Sequence, residues 1–374
     1  MPRKPIPVLQ FITPVGLHGA EMWILALARH FDPEKIRCEL VVTRESDVQN
    51  IEIVDRYRAL GLTAHILPLG GRFDPRSVQQ LRRLIHARGI RLLHSHGYKS
   101  DILGFAAARA TGCKVLSTPH GFENAPDRKL QFFIWLGCRT LPWFDGVAPL
   151  SEELARDMRR IGVPDKKIHL IRNGVDLAEA DDARWRGGSE IGDDDPPVVG
   201  YVGQLISRKN LPDMIRAFEM LHARRPVTQL WIVGDGPERP RLESLAAETK
   251  AAGAIRFLGY RSDRLDLMRR MRVFSMTSSL EGIPRCMMEA MALEVPAAAF
   301  RIPGVDQLIE DRRTGLSAPF GDVAALADCW EALLADRAFA DQLAREGRNH
   351  VVRRFSAERM ARDYERLYRE MLAE

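Results

Sequence analysis

No C-x-x-C pair occurs in this sequence, and its five cysteines, Cys38, Cys113, Cys138, Cys286 and Cys329, show no zinc-like spacing with histidine. Their scatter reads as reduced thiols in a cytoplasmic protein. Long apolar runs are also missing. One of the longest, Phe132 to Cys138, falls far below the roughly 18 residues that suggest a membrane span, so any membrane contact is expected to be peripheral, at the inner face. The start, MPRKPIPVLQFITPVG, is basic, but Pro5 and Pro7 break its short apolar run and no small-residue cleavage site follows. A first strand is expected there rather than a signal peptide. No run of five or six like charges appears either.

What is present is apolar material enough for a sizeable core. The hydrophobic fraction is 45% and the charged fraction 28%, which excludes a mainly disordered chain. At 374 residues the chain exceeds the size at which one core keeps growing, so two domains are expected. The net charge of +5 is unevenly spread. Residues 1–177 hold 26 Lys and Arg against 18 Asp and Glu, and residues 178–374 hold 29 against 32. The positive field of the first half suits anionic headgroups, an anionic acceptor or nucleic acid, and equally a plain solvated surface.

Short β-branched or apolar runs alternate with longer amphipathic ones. Ile6–Ile12, Cys38–Thr43, Ala64–Leu69, Leu92–Ser95, Val115–Thr118, Gly146–Leu150 and Ile168–Ile171 read as strands, with helices such as Ala20–Phe31, Ser77–Arg88 and Ser100–Thr111 between them. Ala183–Pro197, rich in Gly, Asp and Pro, reads as an interdomain linker. The alternation then restarts with strands at Val198–Val202, Gln229–Val233, Ile255–Leu258, Val273–Thr277 and Ala297–Phe300, and helices at Leu211–Leu221, Arg239–Lys250 and Arg285–Leu293. Asp322 to Glu374 is nearly all helical in pattern. The expected fold class is α/β, with two Rossmann-like doubly wound parallel sheets. The expected domains are residues 1–177, residues 178–354, and a terminal helix over 355–374 packing back on the first domain. Ligands are expected at the carboxyl ends of the strands, in a cleft where the two domains face each other.

The stretch SLEGIPRCMMEAMA (Ser279–Ala292) sets Glu281 in a loop and Glu289 inside a helix, around Gly282 and Pro284. Pro284 suits the first helical turn, and the N–H groups of Arg285, Cys286 and Met287 offer an anion site through exposed donors and the helix dipole. A phosphate flanked by carboxylates that accept from hydroxyls has the layout of a sugar nucleotide.

Here the sequence resembles the retaining glycosyltransferases of family four, which have the GT-B fold and the signature E-x7-E. Glu281 and Glu289 match it, with Gly282, Ala290, Met291 and Ala292. Further segments agree in order: HGAE (His18–Glu21), TPHG (Thr118–Gly121), NGVD (Asn173–Asp176), VGQLISRKN (Val202–Asn210), VGDGPER (Val233–Arg239), FLGYRSD (Phe257–Asp263) and RRTGLSAPFGD (Arg312–Asp322). The resemblance implies that Glu281 contacts the donor sugar and Glu289 the ribose hydroxyls. It implies that Lys209, with Arg208 adjacent, neutralises the diphosphate, and that the backbone at Gly19 approaches the same phosphates. His120 falls near the donor sugar, where it positions reacting groups or stabilises developing charge. No metal and no cofactor is expected. The implied partners are a nucleoside diphosphate sugar, UDP by default, a glycan or lipid-linked acceptor such as a lipopolysaccharide or exopolysaccharide precursor, and an anionic membrane surface, with no nucleic acid.

Four positions depart from the family pattern: Gln204 stands where an arginine is common, His18 where a glycine is common, and Asp306-Gln307 where proline-glutamate is common. Gln204 and His18 leave open a sugar-nucleotide-binding scaffold, and the same fold leaves open a sugar-nucleotide epimerase. His94 and His96 are expected to be structural. Asp193-Asp194-Asp195, tempting as a metal site, reads as a solvated loop, and VGDGPE lacks the dinucleotide-binding spacing. The segment Lys129–Phe144 reads as a partly buried helix packed on the sheet, with a membrane-docking surface as its alternative.

Overall fold

A computed structural model describes residues 4–14, 16, 19–46, 49–69, 75–120, 128–185 and 195–373. The chain divides into two compact units, one of residues 1–174 with 357–374 and one of residues 175–356.

The strands of the first unit are β1 (Ile6–Ile12), β2 (Ile36–Arg44), β3 (Ala64–Pro68), β4 (Leu92–His96), β5 (Lys114–Ser117) and β6 (Gly146–Val147). Its helices are α1 (Gly19–His30), α2 (Glu52–Ala59), α3 (Pro75–Arg88), α4 (Tyr98–Thr111), α5 (Arg128–Thr140) and α6 (Glu152–Arg160). The parallel sheet runs β3-β2-β1-β4-β5-β6. Strands such as β1 and β4 are buried along their length because helices cover both faces; β1 reads as a nearly continuous apolar run, whereas β4 also buries the polar His94, Ser95 and His96. Ile168–Ile171, expected as a strand, bridges from Ile168 to Val147 and donates from His169 N to Val147 O at 2.9 Å and from Ile171 N to Pro149 O at 3.1 Å, without forming a regular ladder. β6 ends at Val147, so this pairing runs past the strand into the loop that follows it.

In the second unit α7 (Leu177–Trp185) precedes β7 (Val198–Val202), α8 (Leu211–Arg224), β8 (Gln229–Val233), α9 (Arg239–Ala247), β9 (Ile255–Gly259) and α10 (Arg264–Arg269). Then come β10 (Val273–Met276), α11 (Arg285–Ala292), β11 (Ala297–Arg301), β12 (Leu316–Pro319), α12 (Val323–Ala335) and α13 (Arg337–Arg354). The sheet order is β12-β11-β10-β7-β8-β9. The linker expected over 183–197 is corrected at its start. Ala183 is fully buried in α7, packed into the core of the second unit, and the chain passes between units earlier, after Gly174. Asp193 and Asp194 lie outside the described residues.

The last helix, α14 (Ala357–Met371), belongs to the first unit. Met360, Ala361, Tyr364, Leu367 and Tyr368 are buried in one core with Trp23, Ile24 and Leu27 of α1. Their spacing of three and four residues puts them on one helical face.

In both sheets the strand order reverses once, between β1 and β4 and between β7 and β10. At such a point the two crossover helices leave on opposite faces and the strand ends part, forming the ligand crevice of open α/β sheets.

Candidate functional site

The residues after β7 form a tight loop strapped on two sides. On one side Leu205 N donates to Asp235 O at 2.9 Å and Glu238 N to Leu205 O at 3.0 Å. The VGDG turn can lie this close because Gly234 and Gly236 have φ of +133° and +159°, and a Cβ on Gly234 would stand 1.9 Å from Gly203 O. Its glycines therefore serve loop packing. On the other side Ser279 N donates to Arg208 O at 2.8 Å and Thr277 Oγ1 to Lys209 O at 3.0 Å. These straps join the ends of β7 and β10 at the switch point.

They also bring Lys209 to Glu281. Both are buried, and Lys209 Nζ donates to Glu281 Oε1 at 2.5 Å. Arg208, more exposed, reaches Glu281 Oε2 at 3.4 Å and Leu280 O at 3.2 Å. A buried charge pair of this kind is held by its mutual attraction against the cost of desolvating both ions. Gln204 sits exposed in the same loop, its carbonyl accepting from Tyr201 Oη at 2.9 Å.

Pro284 precedes α11, whose first backbone bond is donated by Met288 to Pro284 O at 3.2 Å. The N–H groups of Arg285, Cys286 and Met287 lie ahead of that bond, as the helix start requires. Burial pushes the Cys286 thiol up to about 12, so it stays protonated.

Glu289 is buried on α11. Its Oε1 accepts from Arg285 Nε at 2.7 Å and Arg264 Nη2 at 2.8 Å, and its Oε2 from Arg264 Nε at 3.2 Å. Burial alone would raise this carboxyl. The charges and hydrogen bonds of Arg285 and Arg264 outweigh it and hold the group below its ordinary value. Glu179 of α7 stands 3.8 Å from Arg285 and 3.9 Å from Arg264. Neither Arg264 nor Glu179 is marked by the sequence. Arg264 directly follows the FLGYRSD segment, but only the packing of α10 on α11 brings it to Glu289.

In the first unit Gly19 opens α1 beyond β1, and a Cβ there would meet no atom of the described residues within 4 Å outside its chain neighbours and its own helix backbone. His18 lies outside the described residues. His120, partly buried, follows β5, with His96 Nδ1 3.1 Å from its Nε2. His94 and His96 are buried in the same unit. Burial lowers all three rings, His120 to about 4.

The segment read as a helix on the sheet instead packs α5 against α4, with Gly137 against Tyr98. Its outer face exposes Phe132 and Trp135, stacked at 5.8 Å between centroids, with Arg139 over the Trp135 ring at 5.7 Å. Among the described residues no helix is long and apolar enough to cross a membrane, and no cluster of His, Cys, Asp and Glu is arranged to hold a metal.

Two family descriptions match successive parts of the chain: Glycosyltransferase Family 4 over residues 17–179 and Glycosyl transferases group 1 over residues 185–350. The lipopolysaccharide core biosynthesis glycosyltransferase LpsE of Rhizobium meliloti is 32% identical over 170 residues, 46% of this chain and about half, 49%, of LpsE. The putative glycosyltransferase EpsD of Bacillus subtilis is 28% identical over 316 residues, covering 79% of this chain and 81% of EpsD. Among solved structures, Anabaena Alr3699/HepE in complex with UDP superimposes with a TM-score of 0.80 at 17% identity, covering 98% of this chain and all of HepE. The expected GT-B architecture is therefore the one observed.

Proposed function

We propose that this chain, a glycosyltransferase of the family-four type with the GT-B fold, transfers a sugar from a nucleoside diphosphate donor to a hydroxyl of a glycan or lipid-linked acceptor. The transfer retains anomeric configuration and uses no metal ion. The observation that carries the reading is the buried Lys209–Glu281 pair at the β7/β10 switch point. It supplies a fixed cation beside a fixed carboxylate where an open α/β sheet binds its ligand.

In this mechanism the C1–O bond to the diphosphate breaks through an oxocarbenium-like state. Lys209, Arg208 and the first N–H groups of α11, at Arg285, Cys286 and Met287, stabilise the charge that collects on the leaving diphosphate. The acceptor hydroxyl forms the new C1–O bond on the departing face and gives its proton to a diphosphate oxygen. Glu281 orients the donor sugar while keeping Lys209 in place. Glu289 accepts from the ribose hydroxyls. Three of its four lone-pair positions are taken by arginines, so the ribose uses the fourth, on Oε2, or displaces one arginine contact. Gly19 and His120 are the first unit's contribution to substrate binding.

UDP is favoured as the donor nucleotide by the UDP-bound HepE structure, and a surface-glycan acceptor by LpsE, a lipopolysaccharide core biosynthesis glycosyltransferase. Peripheral contact with an anionic membrane belongs to the same proposal, supported by the exposed aromatic face of α5 with Arg139 beside it.

The test is a thermal-shift screen of UDP-, GDP- and ADP-sugars, followed by transfer assays with the best donor in EDTA and NMR of the product's anomeric centre. Product of retained configuration, lost in Glu281→Gln, is expected. Turnover of donor without acceptor would indicate an epimerase, and binding without any turnover a scaffold.

A further inference from the structure

The first unit holds a continuous chain of buried polar groups beneath His120. Gln10 of β1 stands beside His94 in the β1–β4 register, with His96 two residues further along β4. Gln10 Nε2 donates to Tyr368 Oη at 3.2 Å and faces Cys38 Sγ at 3.7 Å. Tyr368 Oη lies 2.8 Å from His94 Nδ1, His94 Nε2 lies 2.8 Å from Thr118 Oγ1, and Thr118 Oγ1 lies 2.8 Å from Tyr364 Oη. Trp23 of α1 covers the group, its ring 5.2 to 5.9 Å from those of His94, His96, His120 and Tyr364.

The amide of Gln10 sets a direction in this chain. Its Oε1 faces His96 Nε2 at 2.8 Å and can only accept, so His96 must donate from Nε2. Burial keeps His96 and His120 neutral, with one ring proton each. With its proton on Nε2, His96 carries a lone pair on Nδ1, and the atom facing that lone pair at 3.1 Å is His120 Nε2. His120 must then carry its own proton on Nε2.

We infer that Gln10 and His96 are positioning residues that hold His120 in its Nε2–H tautomer, so that His120 offers Nδ1 to a substrate hydroxyl as a hydrogen-bond acceptor. The hydroxyl is one of the donor's or the acceptor's; the shared chemistry is an O–H donor. This inference rests on the reading that the first unit's switch point contacts substrate.

Long-range proton–nitrogen NMR of the full chain labelled with ¹⁵N-histidine, with His120 assigned through His120→Gln, reads the tautomer directly. The expected spectrum has protonated Nε2 and bare Nδ1 on both His120 and His96. A proton on Nδ1 of His120 overturns the inference, and this holds for the wild-type protein whether or not any variant folds. Gln10→Met removes the acceptor at nearly constant volume. It is expected to mix the two His120 tautomers and to lower kcat about fivefold to tenfold, the worth of one misdirected hydrogen bond, with a smaller change in KM. A mixed tautomer with unchanged kcat overturns the positioning role. Wild-type protein with the expected tautomer but no transferase activity overturns the function proposed above and leaves the hydrogen-bond direction standing.

Discussion

At the scale of single residues, the charges in this protein that matter most are the ones buried with a partner. Lys209 and Glu281 stabilise each other out of water, so removing one strands the other. Glu281→Ala is expected to cost about 3–5 kcal/mol of stability, measured by urea unfolding, in addition to its loss of activity. The double variant Lys209→Met with Glu281→Leu should recover most of that stability and remain inactive, separating the pair's part in folding from its proposed part in transfer. Asp101 of α4 is a different case. It is buried, and Ser95 Oγ and Ser117 Oγ both donate to its Oδ1, at 2.6 and 2.8 Å. Burial raises its carboxyl from 3.8 to about 7 against the pull of those two hydroxyls. The folded state thus holds a proton that the unfolded chain releases. The stability this gives is fully present below pH 3.8 and is lost as pH rises through about 7, at roughly 1.4 kcal/mol per pH unit inside that window. Asp101→Asn keeps an oxygen for both hydroxyls and cannot ionise. Its urea midpoint should exceed that of the wild type at pH 8 and approach it at pH 5.

At the scale of elements, the site is made by loops that close packing leaves no room to move. Gly304, after β11, has a φ of +93°, and a Cβ there would lie 1.8 Å from Gly282 O and 2.5 Å from Glu281 O. Gly304→Ala must push the Glu281 loop away from the end of β7 or strain its own backbone. The expected result is loss of transfer of at least tenfold with a stability loss of about 1–3 kcal/mol, read from kcat and urea midpoint together. Wild-type kcat in this variant would show that the loop tolerates displacement. Most elements were legible from periodicity because their apolar residues repeat at two, or at three and four. Ile168–Ile171 runs beside residues 147–149 without becoming a ladder strand, because β6 ends at Val147 and Pro149 has no N–H to complete the pairing. Ala183 was read as linker because glycines and aspartates follow it, whereas its own burial in α7 depends on the core of the second unit.

At the scale of the whole molecule, the first unit is built from both ends of the chain. Tyr364 and Tyr368 of α14 are fully buried against α1, and their hydroxyls meet Thr118 and His94. A chain ending at Ser356 should therefore lose the cooperative unfolding of the first unit, seen as loss of its calorimetric transition, with the bulky aromatic contribution alone worth several kcal/mol. The outer face of α5 gives a second expectation. Vesicles rich in phosphatidylglycerol should sediment with the wild-type protein, and less with Phe132→Ser and Trp135→Ser combined, while neutral vesicles should not. Equal sedimentation of that double variant would remove α5 from the proposal.

The amino-acid sequence by itself determined the alternating α/β elements, the two Rossmann-like halves and the collinear motifs, because each depends on residues close together along the chain. It also separated Glu281 in its loop from Glu289 in its helix, since Gly282 and Pro284 mark that boundary locally. Only the tertiary structure decided that Lys209 closes on Glu281 across 72 residues, that Arg264 meets Glu289 across 25, and that Tyr368 meets His94 across 274. Such pairings follow from which strand lies beside which and from burial that makes an unpartnered charge or hydroxyl costly, and neither leaves a local mark in the order of residues.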